Sequence, residues 1–214
     1  MNSDLISYYK ERAREYERVY SKPERQEELL LVEKALQETF KNKGVIEIAC
    51  GTGYWTQKIS SVAQSIFATD INESVIELAK SKNYSSATVH FQAIDLYELK
   101  ETNKHENLFG GFIWSHIPLQ ELAKFIEHCN SLVKLGGTVV FIDNNYVEGS
   151  STAIEETDSF GNTYQLRKLM DGTSHKVLKN FPTMEFTRQL LSDKWSDLQL
   201  KSFEYYWMLE YKIR

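Results

Sequence analysis

The stretch from Val45 to Asp143 alternates between two kinds of segment, and this alternation constrains the fold more than any other feature. Short runs rich in Val, Ile and Phe predict buried strands. The stretches between them repeat their apolar residues every three or four positions, which is typical of helices packed on a sheet. Such βαβ units predict a mainly parallel sheet covered by helices on both faces. The predicted strands span residues 45–49, 65–70, 88–92, 111–114 and 138–143, and helices are predicted to begin at residues 54, 73 and 118.

Both ends of the chain depart from this alternation. Residues 4–20 carry one apolar stripe on a charged helix, and Pro23 suits the first turn of a second helix. Beyond Asp143, glycine-containing turns separate short strand-like stretches, which indicates an inserted β-hairpin arm. A helix is predicted over 183–194, followed by strand-like residues 198–213. We therefore expect one domain with a helical N-terminal lid (1–43), a core (44–143), an arm (144–182) and a C-terminal helix with strands (183–214).

Composition excludes several classes of protein. A chain of 214 residues with 42% hydrophobic side chains can bury a core without disulfides, and Cys50 and Cys129 are not spaced as metal ligands, so no metal site is expected. The formal net charge is −5 and no run of Lys or Arg offers a nucleic-acid surface. No apolar segment is long enough to span a membrane and the first residues lack an apolar signal core, which predicts a cytoplasmic protein.

A glycine turn follows the first predicted strand, in Val45-Ile-Glu47-Ile-Ala49-Cys-Gly51-Thr-Gly53-Tyr-Trp55-Thr56. Small residues there let the backbone approach a ligand, and the N–H groups of the next helix favour an anionic end. Gly-x-Gly alone is a weak signal, because a tight turn without a ligand has the same pattern. A dinucleotide site would carry a third glycine where this chain has Thr56.

Carboxylates end the second and third predicted strands. Asp70 lies 17 residues after Gly53, where it can accept hydrogen bonds from the two hydroxyls of a ribose. Because nicotinamide enzymes also place an acid there, Asp70 indicates a nucleoside without identifying it. Asp95 follows the third strand, from where it can reach an adenine amino group.

In this order of motifs the chain resembles the class I S-adenosylmethionine (SAM)-dependent methyltransferases, over about residues 44–143. The resemblance implies their Rossmann-like α/β fold, a seven-stranded sheet with an antiparallel C-terminal strand, and SAM as cofactor. It implies that Gly51 and Gly53 border the methionine moiety and that Asp70 binds ribose. Ile71 would pack on adenine, and Ile94 or Asp95 would touch the adenine edge. The remaining candidates around the cofactor are Glu47, Ala49 and Trp55, with Tyr16 from the lid.

The N-terminal segment resembles small bacterial members in which a leading helix covers the cofactor. Tyr16 belongs to the apolar stripe of this helix and either packs there or brings its hydroxyl to the cofactor carboxylate. Tyr54 and Trp55 follow the glycine turn, where a ring-lined chamber would exclude water from the cofactor.

Candidates for binding the methyl acceptor lie beyond the fourth and fifth predicted strands, since open α/β sheets bind ligands at the carboxyl ends of their strands. His116 is a candidate general base or substrate contact, and capping of the following helix is its structural alternative. Trp114 would either floor a pocket or fill the core. The other candidates are Asn144 and Tyr146, which equally suit a turn, and Tyr164 and Arg167 on the arm, which equally suit an exposed hairpin.

The sequence therefore predicts a methyltransferase that transfers a methyl group from SAM to an oxygen or nitrogen atom of a small molecule by in-line displacement. Two alternatives stay open: an NAD(P)-dependent Rossmann oxidoreductase, and a non-catalytic relative that binds the cofactor. Neither nucleic acid nor membrane is expected as a partner, and the sequence leaves open whether the protein forms a homodimer.

Overall fold

A seven-stranded sheet forms the centre of the protein. The computed structural model describes residue 8 and residues 16–85, 87–100, 102–169, 172–191 and 195–214. In the sheet the strand order is β3-β2-β1-β4-β5-β10-β9, and the first five of these strands are parallel. The strands are β1 (Gly44–Ile48), β2 (Ser65–Asp70), β3 (Thr88–Ala93), β4 (His105–Gly111), β5 (Val133–Asn144), β9 (Ser196–Ser202) and β10 (Tyr206–Lys212).

The order of the strands fixes where a ligand can bind. From β1 the chain moves outward to β2 and β3, then crosses back to β4 on the other side of β1. Such a reversal opens a crevice at the carboxyl ends of β1 and β4. β10 lies antiparallel between β5 and β9, as predicted for the C-terminal strand.

Helices cover both faces of the sheet. On one face lie α1 (Gln26–Phe40), α2 (Tyr54–Ser60) and α3 (Glu73–Lys80), whose buried side chains share a core with Val45 and Met208. On the other face lie α4 (Leu122–Ser131) and α5 (Met184–Leu191), which pack with Ile46 and Ile48. The alternation of β1 between these cores is the two-residue period of a strand buried on both sides. Among the described helices, none has the length and apolarity that crossing a bilayer requires.

The insertion after β5 is a small antiparallel sheet. It contains β6 (Glu156–Thr157), β7 (Thr163–Lys168) and β8 (Ser174–Leu178), and β7 and β8 form the predicted hairpin. We call residues 144–182 the arm. Tyr8, the described residue of the N-terminal segment, is buried against Leu169 and Val177 of the arm.

A buried ion pair fastens the arm to the main sheet. Lys179, just beyond β8, places its Nζ 2.8 Å from Oδ1 of Asp143 near the end of β5, and both side chains are almost fully buried. Asp143 Oδ2 also accepts the N–H of Ser115 at 2.9 Å, and the Ser115 carbonyl accepts the N–H of Asn180 at 2.8 Å. These bonds hold the arm over the carboxyl ends of β4 and β5.

Two sequence predictions of secondary structure were wrong. The fourth strand is not Gly111–Trp114: it spans His105–Gly111, and Trp114–His116 forms a 3-10 turn. The strand begins with three polar residues that concealed its start, and Phe112 ends it with a positive φ of 60°. The end of the predicted first helix is also 3-10, over Tyr16–Ser21, whereas most of residues 4–15 lie outside the described residues.

The Lys179–Asp143 pair allows a test of how the arm is attached. We expect Lys179→Met to lower the free energy of unfolding by about 3–5 kcal/mol, because it leaves a buried carboxylate without its counter-charge. Urea unfolding measures this loss, and Asp143→Asn added to Lys179→Met is expected to recover part of it.

Lys176→Met on the same hairpin is the matched control, since Lys176 pairs with Glu156 at the surface. An exposed pair contributes about 0–1 kcal/mol. Equal losses for the two lysines would contradict the anchoring role of Lys179.

Candidate active site

The turn after β1 has a left-handed backbone conformation that few residues other than glycine adopt. Ala49, Gly51 and Gly53 have positive φ values of 51°, 55° and 78°. A Cβ on Gly53 would lie 2.6 Å from the hydroxyl of Tyr84, so glycine is required there for space as well as for conformation. The N–H groups of Cys50 and Gly53 donate to the carbonyls of Thr69 and Cys50, at 2.9 and 3.0 Å, so the protein's own hydrogen bonds hold this turn beside the crevice.

Asp70, at the end of β2, is tied to this turn. Its Oδ2 accepts the N–H of Gly51 and its Oδ1 accepts the N–H of Asn72, each at 2.9 Å. Burial raises the pKa of Asp70, and these N–H donors oppose that rise. A carboxylate has about four acceptor sites, so Asp70 can still receive the two hydroxyls of a ribose.

Glu47 is a buried carboxyl beside the same turn. Its side chain lies on β1, is 2% exposed, and its Oε2 has no hydrogen-bond partner among the described residues. Burial and the nearby charge of Asp70 raise the pKa of Glu47 to about 8, although the Thr56 hydroxyl lowers it. An unpartnered buried carboxyl of this kind suits an ammonium group brought by a ligand.

The ends of β2 and β3 bring together the other residues expected to contact a nucleoside. Ile71 and Ile94 follow the two strands and are half-buried. The Ile94 N–H donates to the Asp70 carbonyl at 2.8 Å, which holds the two strand ends side by side. The Asp95 carboxylate accepts the N–H of Tyr97 at 3.0 Å and so caps the following 3-10 turn.

Beside this turn lies an aromatic cluster of Tyr20, Tyr54, Trp55, Phe112 and Tyr206, and three of these rings, Tyr20, Phe112 and Tyr206, also line a cavity. Tyr20 stacks on Tyr54 with ring centroids 3.8 Å apart, and Trp55 stacks on Phe112 at 6.3 Å. Tyr206 meets the edge of Phe112 at 5.9 Å. Trp55 is therefore buried beside the turn within a layer of rings, and its contact with the cofactor stays a prediction.

The lid is fixed to the turn by one carboxylate. Glu17 accepts a hydrogen bond from the hydroxyl of Thr52 at 2.8 Å and pairs with Lys82. The backbone of Tyr16 begins this 3-10 segment, but its side chain lies outside the described residues, so the predicted contact of Tyr16 with the cofactor stays a prediction.

A cavity of about 360 Å³ lies under the arm, and Tyr20, Phe112 and Tyr206 of the aromatic cluster line part of it. Its lining is basic, since it includes five Lys or Arg side chains and no Asp or Glu among the described residues. The cations that line it are Lys22, Arg25, Arg167, Lys168 and Lys179.

His116 lines this cavity and is 5% exposed. Its Nδ1 lies 2.6 Å from the carbonyl oxygen of Leu178 on the arm. Because a carbonyl oxygen only accepts, Nδ1 must carry the proton, and the basic lone pair is then on Nε2. The arm therefore fixes both the orientation and the tautomer of this ring.

The predicted acceptor-binding residues divide into two groups. Asn144 and Arg167 line the cavity, and Arg167 donates to Gln165 Oε1 at 2.8 Å. Three others do not line it: for Trp114 the substrate-binding interpretation is corrected, and for Tyr146 and Tyr164 it stays a prediction.

Trp114 is fully buried among Phe125, Phe141 and Trp207, so it is a core residue. Tyr146 is 40% exposed and packs on Phe181. Tyr164 donates to Asp158 within the arm and lies under the ammonium of Lys176.

Sequence reasoning missed Lys22, Arg25, Ser150 and Lys179. Arg25 sits in a polar turn before α1, where an exposed arginine is the ordinary expectation, yet it is 6% exposed. Lys179 follows the apolar pair Val177-Leu178, which offers only a weak signal that its neighbour is also buried. These residues meet only because distant segments close over one cavity.

Comparison with known proteins agrees with this geometry. Residues 45–137 match the family model described as methyltransferase domain. The chain is 25% identical over 121 residues to phosphoethanolamine N-methyltransferase 1 of Zea mays, covering 55% of this chain and 24% of that protein. It is 25% identical over 114 residues to ubiquinone biosynthesis O-methyltransferase of Coxiella burnetii, covering 51% and 48%. The chain thus spans less than half the length of these curated relatives.

Solved structures share the whole fold. The complex of DhpI with SAH superposes with a TM-score of 0.80 at 24% identity, covering 98% of this chain and 95% of the other. The DhpI–SAM–HEP complex gives 0.78 at 23% identity and covers 99% of both chains. Residues 45–137 thus resemble a methyltransferase domain in sequence, and the chain shares its fold with solved complexes of SAH and SAM.

Proposed function

We propose that this protein transfers a methyl group from SAM to an oxygen or nitrogen atom of a small molecule, by in-line displacement. The observation that carries the proposal is the buried Glu47 carboxyl, whose Oε2 has no hydrogen-bond partner among the described residues, beside a glycine turn that Asp70 holds in place. This pairing suits a ligand that ends in an ammonium group and also carries a ribose. A basic cavity next to it supplies room for a second, smaller molecule.

The residues present fit SAM. Glu47 would hold its ammonium group, Asp70 its ribose hydroxyls, and Ile71, Ile94 and Asp95 its adenine. Gly51 and Gly53 would border the methionine chain, where no side chain obstructs it. When bound, SAM supplies an electrophilic methyl group whose sulfonium leaves as a neutral thioether when a lone pair attacks from the opposite side.

The protein itself would position the two ligands, exclude water from them and supply a proton acceptor. Tyr20, Phe112 and Tyr206 of the aromatic cluster would shield the acceptor cavity from water, and the arm would cover it. His116 Nε2 would take the proton that an acceptor hydroxyl or amine loses as the new bond forms. The hydrogen bond from Nδ1 to Leu178 assigns that role to Nε2 and not to Nδ1.

The relatives support an oxygen or nitrogen target, since one is a phosphoethanolamine N-methyltransferase and another a ubiquinone biosynthesis O-methyltransferase. A nicotinamide-dependent oxidoreductase is disfavoured because Thr56, in place of the third glycine, is fully buried against the turn. A non-catalytic relative is disfavoured because the acceptor cavity is retained and contains a histidine with a fixed tautomer.

Cofactor binding is the first test. Isothermal titration is expected to detect SAM and its demethylated product, S-adenosylhomocysteine (SAH), and Asp70→Asn is expected to weaken both by about 1.5–3 kcal/mol, roughly 10- to 100-fold. Asp197→Asn is the matched control, because Asp197 pairs with Lys212 on the distant β9–β10 edge. Unchanged affinity in Asp70→Asn would show that ribose binds elsewhere.

Glu47 gives a pH-dependent test. In the unfolded chain the Glu47 carboxyl ionises near its ordinary pKa of 4.5, whereas the folded protein keeps the proton up to about pH 8. Unfolding therefore releases a proton between these values, and the free energy of unfolding falls as pH rises through the window. Relative to wild type, Glu47→Gln is expected to gain stability from pH 5 to pH 8, measured by urea unfolding.

The same carboxyl links pH to binding. A bound ammonium would favour ionised Glu47, so wild type is expected to release a proton on binding SAH near pH 7. Titrations in buffers of different ionisation enthalpy measure that proton, and Glu47→Gln should abolish its release. Proton release that persists in Glu47→Gln would exclude this role.

Turnover tests His116. We expect His116→Asn, which keeps a donor toward Leu178 but lacks Nε2, to slow SAH formation about 10²–10⁴-fold with hydroxyl or amine acceptors found in a metabolite panel. The acidic limb of the pH–rate profile should disappear as well. His90→Asn, at an exposed position on β3, is the control. A rate within a few-fold of wild type would remove His116 from the mechanism.

A further inference from the structure

Arg25 is a buried cation that faces the acceptor cavity without an acidic partner. It is 6% exposed and lines the cavity. Its Nε and Nη2 donate to the hydroxyl of Ser150 at 3.1 and 2.9 Å, and its Nη1 donates to Asn144 Oδ1 at 3.2 Å. The guanidinium also lies over the rings of Tyr205 and Tyr206, at 5.1 and 5.8 Å from their centroids. All of these partners are neutral.

Glu24 is linked to Arg25 only indirectly, through the hydroxyl of Ser150. Its Oε1 accepts the Ser150 hydroxyl at 2.7 Å, and that hydroxyl in turn accepts from Arg25. Among the residues that the structure describes, no carboxylate forms an ion pair with Arg25. A buried cation without a counter-charge is costly, so this charge is available to a bound anion.

Lys22 adds a second cation at the same wall of the cavity. Its ammonium donates to the carbonyl of Ser150. Burial and the charge of Arg25 lower the pKa of Lys22, as expected for two cations held close together. An oxyanion bound between them would relieve both the repulsion and the desolvation.

The other charged side chains that line the cavity are positive as well. Lys179 is neutralised by Asp143, but Lys168 adds a further positive charge to the lining. The protein as a whole carries a net charge of −5, so a basic cavity does not follow from composition. The acids that lie near the active site, Glu47 and Asp70, are at the glycine turn and not in this lining.

From this geometry we infer that the methyl acceptor carries an anionic oxygen group, phosphoryl or carboxylate, which Lys22 and Arg25 hold against Ser150. The inference rests on the proposed function, because it assigns the class of the second substrate. Arg25 has five N–H donors, of which Ser150 and Asn144 take three, so donors remain for an oxyanion, and the histidine in the same cavity leaves the acceptor atom near a base. The cofactor carboxylate is the other anion that could use these cations, and the experiment separates the two.

The test is a two-step calorimetric titration at low salt. The protein is first saturated with SAH, and then inorganic phosphate, methylphosphonate or acetate is added. We expect at least one of the three anions to bind the SAH-loaded protein, and its affinity to fall at least 10-fold in Lys22→Met and in Arg25→Gln. The affinities for phosphate and methylphosphonate, compared with that for acetate, show whether the site prefers a phosphoryl or a carboxylate group. Lys41→Met, at an exposed cation between the end of α1 and the start of β1, should bind as wild type does.

Every outcome of this titration either supports or overturns the inference. Equal anion affinity in wild type and both variants, or no binding of any anion to the SAH-loaded protein, overturns the inference while the proposed function stands. A 10-fold loss of SAH affinity in Lys22→Met assigns the cations to the cofactor carboxylate and also overturns it. If wild type does not bind SAH, the proposed function fails, and the same anion titration on the free protein still reports on the cations. Lys22 is partly exposed, so its variant provides the comparison even if Arg25→Gln does not fold.

Discussion

The acceptor side of this protein depends on the buried contact between Asp143 and Lys179. Asp143 lies near the end of β5, where the parallel sheet opens, and Lys179 lies at the end of the arm. Their pairing gives a buried carboxylate its counter-charge and carries the backbone of residues 178–180 onto the turn after β4. The position of His116 follows from this, since the carbonyl of Leu178 determines which ring nitrogen holds the proton. A hairpin inserted in a loop thereby becomes a fixed wall of a cavity.

Charge is divided across the two ends of the crevice. At the glycine turn lie Glu47 and Asp70, both enclosed enough that their pKa values rise. Under the arm lie Lys22 and Arg25, whose bonds are to neutral groups. The aromatic cluster borders both regions, and its rings lower the local polarity, which strengthens electrostatic interactions there. In the proposed reaction, this arrangement places a cationic cofactor beside the acids and an anionic acceptor beside the bases.

The cofactor end was predictable because its determinants are local. A strand, a glycine turn and a helix follow one another within residues 45–60, and the acids of β2 and β3 follow the regular order of βαβ units. The misplaced fourth strand shows where locality fails. His105, Glu106 and Asn107 are polar, yet they pair in the sheet because Asn107 donates to the carbonyl of Gly44 and accepts from the N–H of Thr138. For the same reason the sequence did not decide whether Trp114 lines a pocket or fills the core, since its packing partners come from α4, β5 and β10.

The sequence by itself determined the mainly parallel sheet, the inserted arm and the turn that suits a SAM-like ligand, because hydrophobic period and glycine position act over a few residues. Only the tertiary structure decided the chemistry of the acceptor cavity. Lys22 and Ser150, which bond to each other, are 128 residues apart in the chain. Whether a cation there faces an acid, a hydroxyl or a ligand depends on how distant segments of the chain pack together. Buried pairs such as Asp143 and Lys179 govern that packing, and they leave no periodic pattern in the sequence.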